Sequence, residues 1–362
     1  MDVGLLPFAL IGFYVHVLYF LSLPLVSLPL PKYRDANTKL PTVSIIIAAF
    51  NEEKIIEKTL KGLKHIDYPN YEVIVVCQGT DKTASIAKKY ARVVRDNMKG
   101  KWHALKVGVK ASKGEILYIL DADSIPERSA LRKLVNSLAD HDVATGIVFE
   151  EGPTPTAMIF RLQTAFTNYA QYFFLRTLKT GIIQGKNYVI RKKTLITLGG
   201  FKKAILEDAN ITFRLYLARN KVAVVDAKCS ELSPLKFAWY VKQQKRWAMG
   251  MQVEAKNAVS KAELIDWLTI IPMGLTFGHA TSISALFAFV YLITKNVFFI
   301  YGTILGYMMY LLASIKFLKI KDVLLSPLSF SALCMFQLCF SLHALMSILN
   351  GKKHVGGRTE KA

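Results

Sequence analysis

Three polar clusters stand in a fixed order between apolar stretches: Asp121-Ala122-Asp123, then Glu207-Asp208, then Gln243-x-x-Arg246-Trp247. Two carboxylates two positions apart are hard oxygen donors of the kind that Mg²⁺ or Mn²⁺ accepts, and a cation held there suits a phosphate-bearing ligand. The second pair offers a carboxylate for general base work. In the third cluster, spacings of three and four residues put an amide, a guanidinium and an indole on one helical face.

Each cluster also has a plainer reading. Ser124-Ile125-Pro126-Glu127 resembles the cap and first turn of a helix, which would make the preceding acids ordinary capping residues. Glu207 and Asp208 open a helix-like run through Ile211, Leu215 and Leu217, where carboxylates favour the amino end. Ser233-Pro234 reads as another helix start, and the aromatics and lysines after it (Phe237, Trp239, Tyr240, Trp247) suit a helix lying along a membrane surface.

The elements around the clusters favour chemistry. The run Ile116 to Leu120 is a buried strand, so Asp121 and Asp123 emerge at a strand's carboxyl end, where open α/β sheets bind ligands. Upstream, residues 42–49 form a β-branched strand ending at Phe50-Asn51-Glu52-Glu53, followed by a helical period at Ile55, Ile56, Leu60 and Leu63. Strands are expected at 71–76 and 91–94, and helices at 82–89 and 104–111. This alternation predicts a parallel sheet whose right-handed crossovers bring 50–52, 78–81 and 121–123 to one edge. Lys99, Lys101 and His103 precede the last of these helices and suit either phosphate contact or solvated surface. Gly185, Gly199 and Gly200 read as backbone turns.

Of the 362 residues, 52% are apolar, and the mean hydropathy of +0.29 exceeds what a soluble domain shows. The excess sits at both ends. Residues 5–30 carry no charge and exceed the roughly 20 residues that cross a bilayer as a helix. Three further spans are expected at 268–293, 297–318 and 323–349. The turn at 316–322 holds three lysines, which puts it and the region 32–266 on the cytoplasmic side. The organisation expected is a first span within 1–31, a catalytic domain over 32–232, an interfacial helix over 233–262, three spans within 263–350, and a tail over 351–362. The net charge of +21 suits an anionic leaflet or phosphate-bearing substrates, and no basic helix belongs to a recognised nucleic-acid fold. Cys77, Cys229, Cys334 and Cys339 show no Cys-x-x-Cys spacing.

The strings VSIIIAAFNEE, KGKWHALKVGV, LDADSIPE, LGGF, LEDANITFRL and QQKRW, in that order, resemble glycosyltransferase family 2 over about residues 41–250, and the last is typical of its cellulose- and hyaluronan-synthase-like members. The resemblance implies an α/β GT-A (Rossmann-like) fold, a UDP- or GDP-linked sugar donor, Mg²⁺ or Mn²⁺, and inversion at the anomeric carbon. It implies that Asp123 holds the metal and Asp121 the ribose or metal shell. Asp208 would be the base, with Glu207 orienting it. Donor-binding positions would be Ala49, Phe50, Glu52, Gln78, Lys101, Asp121, Gln243, Arg246 and Trp247, with Arg246 steadying the leaving diphosphate and Trp247 a platform for the acceptor. Many relatives carry Asp-Asp-Gly-Ser after the second strand, with an acid on the nucleobase, whereas Cys77-Gln78-Gly79-Thr80 stands here. A glutamine donates or accepts, so base recognition is expected to be altered.

The expectation is a membrane-embedded inverting transferase with a lipid-linked acceptor and a cytoplasmic catalytic domain. A processive polysaccharide synthase is the first alternative, encouraged by Gln-x-x-Arg-Trp and opposed by the few spans available for a sugar channel. A nucleotide-binding receptor or transporter is the second, opposed by the lack of paired repeats.

Overall fold

The computed structural model of the chain describes residues 28–33, 40–97, 99–233, 236–263, 266, 304, 307–308, 311–312 and 315–318. The expected membrane spans lie almost wholly outside these residues, and the expected tail over 351–362 lies wholly outside them. Among the described residues, no helix is long and apolar enough to cross a membrane.

The first half alternates strand and helix: β1 (Val43–Phe50), α1 (Ile56–Leu63), β2 (Tyr71–Gln78), α2 (Thr83–Ala87), β3 (Arg92–Arg95), α3 (Lys101–Ala111) and β4 (Ile116–Asp121). All four strands are parallel neighbours. The second half contains β5 (Ile125–Pro126), α4 (Ala130–Asn136), β6 (Val143–Glu151), α5 (Pro155–Leu178), β7 (Tyr188–Arg191), α6 (Lys192–Thr197), α7 (Glu207–Leu217), β8 (Val222–Leu232) and α8 (Phe237–Val259). One eight-stranded sheet results, in the order β3-β2-β1-β4-β7-β6-β8-β5.

β1 shows why its sequence is continuously apolar. Ile45 and Ile47 pack with Leu60, Leu131 and Leu134 on one face of the sheet, while Ile46 packs with Leu105, Leu195 and Ile211 on the other. A strand covered by helices on both sides has no polar face to display. The expected parallel sheet is correct for this half only. β7 runs antiparallel to both β4 and β6, entering the sheet between them after α5.

Two local expectations fail for identifiable reasons. Ile125 and Pro126 do not begin a helix; they pair antiparallel with Ser230 and Cys229 of β8, and α4 starts at Ala130. Ser233 does not cap α8. Its hydroxyl instead donates to Glu150 Oε2 at 2.9 Å, and the helix starts at Phe237 with Lys236 in the cap position. A buried carboxylate is the stronger partner for that hydroxyl than a helix end. α5, which the sequence reading left unassigned, has an ordinary start: Thr154 Oγ1 accepts from Ala157 N at 3.1 Å and Pro155 occupies the first turn.

Candidate active site

The carboxyl ends of the parallel strands form one edge, with Ala48 level with Asp121 and Phe50 level with Gln78. The loops there are knit together before any ligand arrives. Asn51 Oδ1 accepts from Thr80 N at 3.3 Å, Glu53 N donates to Asp81 Oδ2 at 3.1 Å, and Glu52 N donates to Thr83 Oγ1 at 2.7 Å. Gly79 is required here: at φ 107° a side chain is strained, and a Cβ would lie 2.1 Å from Asn51 Oδ1. Ala49, Phe50, Glu52 and Gln78 thus line the edge as the sequence reading placed them.

Asp121 ends β4 and Asp123 follows it, buried. With Glu231, near the end of β8, they place carboxylate oxygens within 4.8 Å of one another. Three hard oxygen donors from two strands are a fitting set for Mg²⁺ or Mn²⁺. Glu231 escaped the sequence reading. The signal was present, because it closes an alternating strand run just as Asp121 closes an apolar one.

A lysine flanks the cluster on each side. Lys101, at the start of α3, bridges Asp121 Oδ1 (2.7 Å) and Glu207 Oε1 (2.8 Å), and its ammonium also donates to Gly185 O at 3.2 Å. Although burial works against its charge, Asp121, Glu207 and Asp208 hold it firmly protonated. Lys101 is thus committed to carboxylates although part of its side chain stays exposed. On the other side Lys186 bridges Glu231 and Glu150. Glu231 also accepts from Ser124, and Glu150 from Ser233. None of Lys186, Glu150 and Ser124 was singled out from the sequence for chemistry.

Glu207 and Asp208 occupy the first turn of α7. Asp208 Oδ1 accepts from Ala209 N at 2.8 Å, and Gly185 at φ 76° leaves room for the carboxylate, since a Cβ there would stand 2.7 Å from Oδ2. A cavity of about 30 Å³ beside Asp208 has walls of Ile182, Ile183, Ala209, Phe213 and Met251. Burial, and then the Glu207 charge, push the Asp208 carboxyl up to about 6, against the opposing pull of Lys101 and Arg246. A carboxylate with that affinity for protons is suited to take one near neutral pH.

α8 brings the third cluster to the same end. Gln243 is buried, and its Oε1 has no hydrogen-bond partner among the described residues. Arg246 is close enough to Asp208 to act on its charge. Trp247 is half-buried and packs edge-to-face on Phe160, with ring centroids 6.1 Å apart. Next to it, Gln244 and Gln163 exchange amide hydrogen bonds of 3.0 and 2.9 Å, joining α8 to α5.

A mixed sheet with parallel β-strand ends presenting an Asp-x-Asp cluster, opposed by a helix-borne carboxylate, defines the GT-A class of α/β domain. The chain matches the family model for glycosyl transferase family 2 over residues 44–199. It is 31% identical over 244 residues to a probable glycosyltransferase, YdaM, of Bacillus subtilis, covering 62% of this chain and 58% of that one. It is 28% identical over 238 residues to a beta-monoglucosyldiacylglycerol synthase of Nostoc sp., covering 60% and 50%. The chain thus spans between half and three-fifths of these relatives' length. In fold it is similar to the mannosyltransferase PcManGT of Pyrobaculum calidifontis, solved with GDP-Man and Mn²⁺, at a TM-score of 0.64 and 19% identity over 96% of this chain and 99% of that one.

Proposed function

We propose that the protein is a membrane-embedded inverting glycosyltransferase that moves a sugar from a UDP- or GDP-linked donor to the hydroxyl of a lipid-linked acceptor. The observation that carries this is the placement of Asp208, a proton-seeking carboxylate fixed across Lys101 and Glu207 from the Asp121-Asp123-Glu231 cluster.

Asp121, Asp123 and Glu231 would hold the divalent cation, which supplies charge stabilisation to the departing diphosphate. Asp208 takes the proton of the acceptor hydroxyl as its oxygen attacks the anomeric carbon, and the bond to the nucleoside diphosphate breaks on the opposite face. Glu207 is committed to Lys101, which leaves Asp208 as the member of the pair that accepts the proton. Arg246 faces the developing charge from α8. The side chains that line the cavity beside Asp208 are mostly apolar, with Thr212 the one other polar member.

The apolar stretches at both ends of the sequence support the membrane reading, and so does one surface. Ile304, Met308, Leu312 and Ile315 are exposed at helical spacing, while Tyr307, Phe317 and Leu318 pack on the cluster around Tyr172 and Phe160. An apolar stripe of this kind marks an interaction with protein or lipid. The glycolipid-synthase relative points the same way.

The test is transfer of labelled sugar from UDP- and GDP-sugars to a lipid extract, with Mn²⁺ or chelator, by the full-length protein in detergent and by its Asp208→Asn variant. Metal-dependent label in the lipid phase, lost in the variant, is expected. Label only in long water-soluble polymer would replace this reading by the processive one, and no donor consumption at all would remove the transferase reading.

A further inference from the structure

The proposed chemistry leaves Tyr188 unused. It opens β7, level with Ile119 of β4 and so two positions short of Asp121. Its ring belongs to the apolar cluster that also holds Leu105 of α3 and Ile211 of α7. Leu105 stands one turn beyond Lys101, and Ile211 one turn beyond Glu207, so those charged side chains share the helix faces that are turned toward the ring. A phenol carries its oxygen at the tip, and this tip reaches under the first turns of both helices.

Tyr188 is 1% exposed, and among the described residues its hydroxyl has no hydrogen-bond partner. A buried hydroxyl left in that state costs stability. Tyr118, on the neighbouring strand and equally buried, donates its hydroxyl to Asn187 Oδ1 at 2.8 Å. Burial, and then the charge of Glu207, push the Tyr188 phenol well above its ordinary range, with Asp208 and Asp121 adding to the effect and Lys101 opposing it. Tyr188 is therefore a neutral donor at any working pH.

That donor faces a pair of carboxyls that compete for one proton. Glu207 and Asp208 adjoin at the start of α7, and like charges so close cannot both stay ionised without support. Lys101 reaches Glu207 Oε1 from α3 at 2.8 Å and ties it to Asp121 of β4, while Arg246 acts on Asp208 from α8. From β7 the facing group is Tyr188.

We propose that Tyr188 is a positioning residue whose hydroxyl donates to the Glu207 carboxylate, directly or through one water, and so confines the exchanged proton to Asp208. A hydrogen bond to the charged form of one carboxyl leaves its neighbour as the seat of the proton. Without it the two share the proton, and the pair releases it at higher pH. This rests on the reading of Asp208 as the base and adds the group that keeps Glu207 from replacing it.

Tyr188→Phe removes one oxygen and keeps the ring. Thr145→Val is its companion, because Thr145 lies level with Tyr188 across β6 and β7 and its buried hydroxyl also lacks a partner among the described residues. Two pH profiles are measured on the full-length protein in detergent. One is turnover of UDP- and GDP-sugars with Mn²⁺; the other, which needs no donor, is the melting temperature of each protein minus that of the same protein carrying Asp208→Asn. Both parent profiles should turn near 6. In Tyr188→Phe both midpoints should rise by about half a pH unit or more, as sharing of one proton requires, while the turnover plateau stays within about twofold. Thr145→Val should move neither midpoint. A lower plateau with unmoved midpoints would make Tyr188 a packing residue and overturn the proposal. Equal shifts in both variants, or a downward shift in Tyr188→Phe, would overturn it too. A melting midpoint that rises in Tyr188→Phe, beside a parent turnover that shows no rise near 6, would uphold the pairing and overturn the base reading.

Discussion

The two lysines beside the carboxylate cluster differ in what surrounds them. Lys101 belongs to the parallel half, keeps 28% of its side chain exposed, and pairs with a 25% exposed Asp121 as well as with the enclosed Glu207. Lys186 belongs to the mixed half, is 13% exposed, and sits between two carboxylates that are almost completely enclosed. The open half is arranged so that a ligand can enter and renegotiate its charges. The closed half keeps Glu231 in place while its helices carry Asp208 and Arg246. A charge pair near solvent contributes little to stability, whereas stripping one partner from an enclosed group leaves an uncompensated ion.

The largest effect expected belongs to neither lysine. Asp208→Asn should lower turnover about 10³-fold, within the usual range for a lost general base, while the stabilisation by Mn²⁺ and donor stays within about twofold; an equal loss of both would make the residue structural. The parent rate should climb as pH rises through about 6 and then level off, and this slope should vanish in the variant. Stability runs the opposite way. A carboxyl that titrates at about 6 in place of its ordinary 3.8 adds stability at low pH that is lost as pH rises through 6. The asparagine variant should therefore melt higher than the parent above that pH, by differential scanning fluorimetry.

The comparison of the lysines can be broken next. Lys186→Met should cost about 3 kcal/mol in urea unfolding, because Glu150 and Glu231 then face each other in an enclosed site. Lys101→Met should cost less, about 2 kcal/mol, because solvent reaches Asp121 though not the enclosed Glu207, yet lose most of the activity. Equal destabilisation by the two would erase the distinction between the halves. The smallest effect concerns α5 and α8. A double-mutant cycle with Gln163→Ala and Gln244→Ala should return a coupling of about 1 kcal/mol.

The parallel half was legible because each buried strand is a short apolar run and a polar residue stands at or just after its end, as at Asn51, Gln78 and Asp121. β2 runs two residues beyond its expected end because Cys77 and Gln78 still pair with Ala49 and Phe50, which periodicity alone does not reveal. The two acid pairs stood out in the sequence, and the structure joins them through Lys101, with Arg246 acting on Asp208. The mixed half was not legible. Ser233 resembled a cap because its sequence neighbours suit one, but its partner Glu150 lies 83 positions away. Nor does Tyr188 announce itself, since its place beneath Lys101 and Glu207 depends on α3 and α7 converging over β7.

Gly185, Lys186 and Asn187 form a short loop whose successive residues report to different places. Gly185 gives its carbonyl to Lys101 and its missing side chain to Asp208. Lys186 holds Glu231, and Asn187, at φ 52°, ties the loop to Ala227 O at 2.8 Å and to the Tyr118 hydroxyl at 2.8 Å. The spacing between the carboxylate cluster and Asp208 is therefore set by a gauge one residue long. Inserting a single residue here would leave every catalytic group present and chemically competent, yet out of step with one another, so tolerance to length change, more than to substitution, is the sharper measure of how tightly the two halves are indexed.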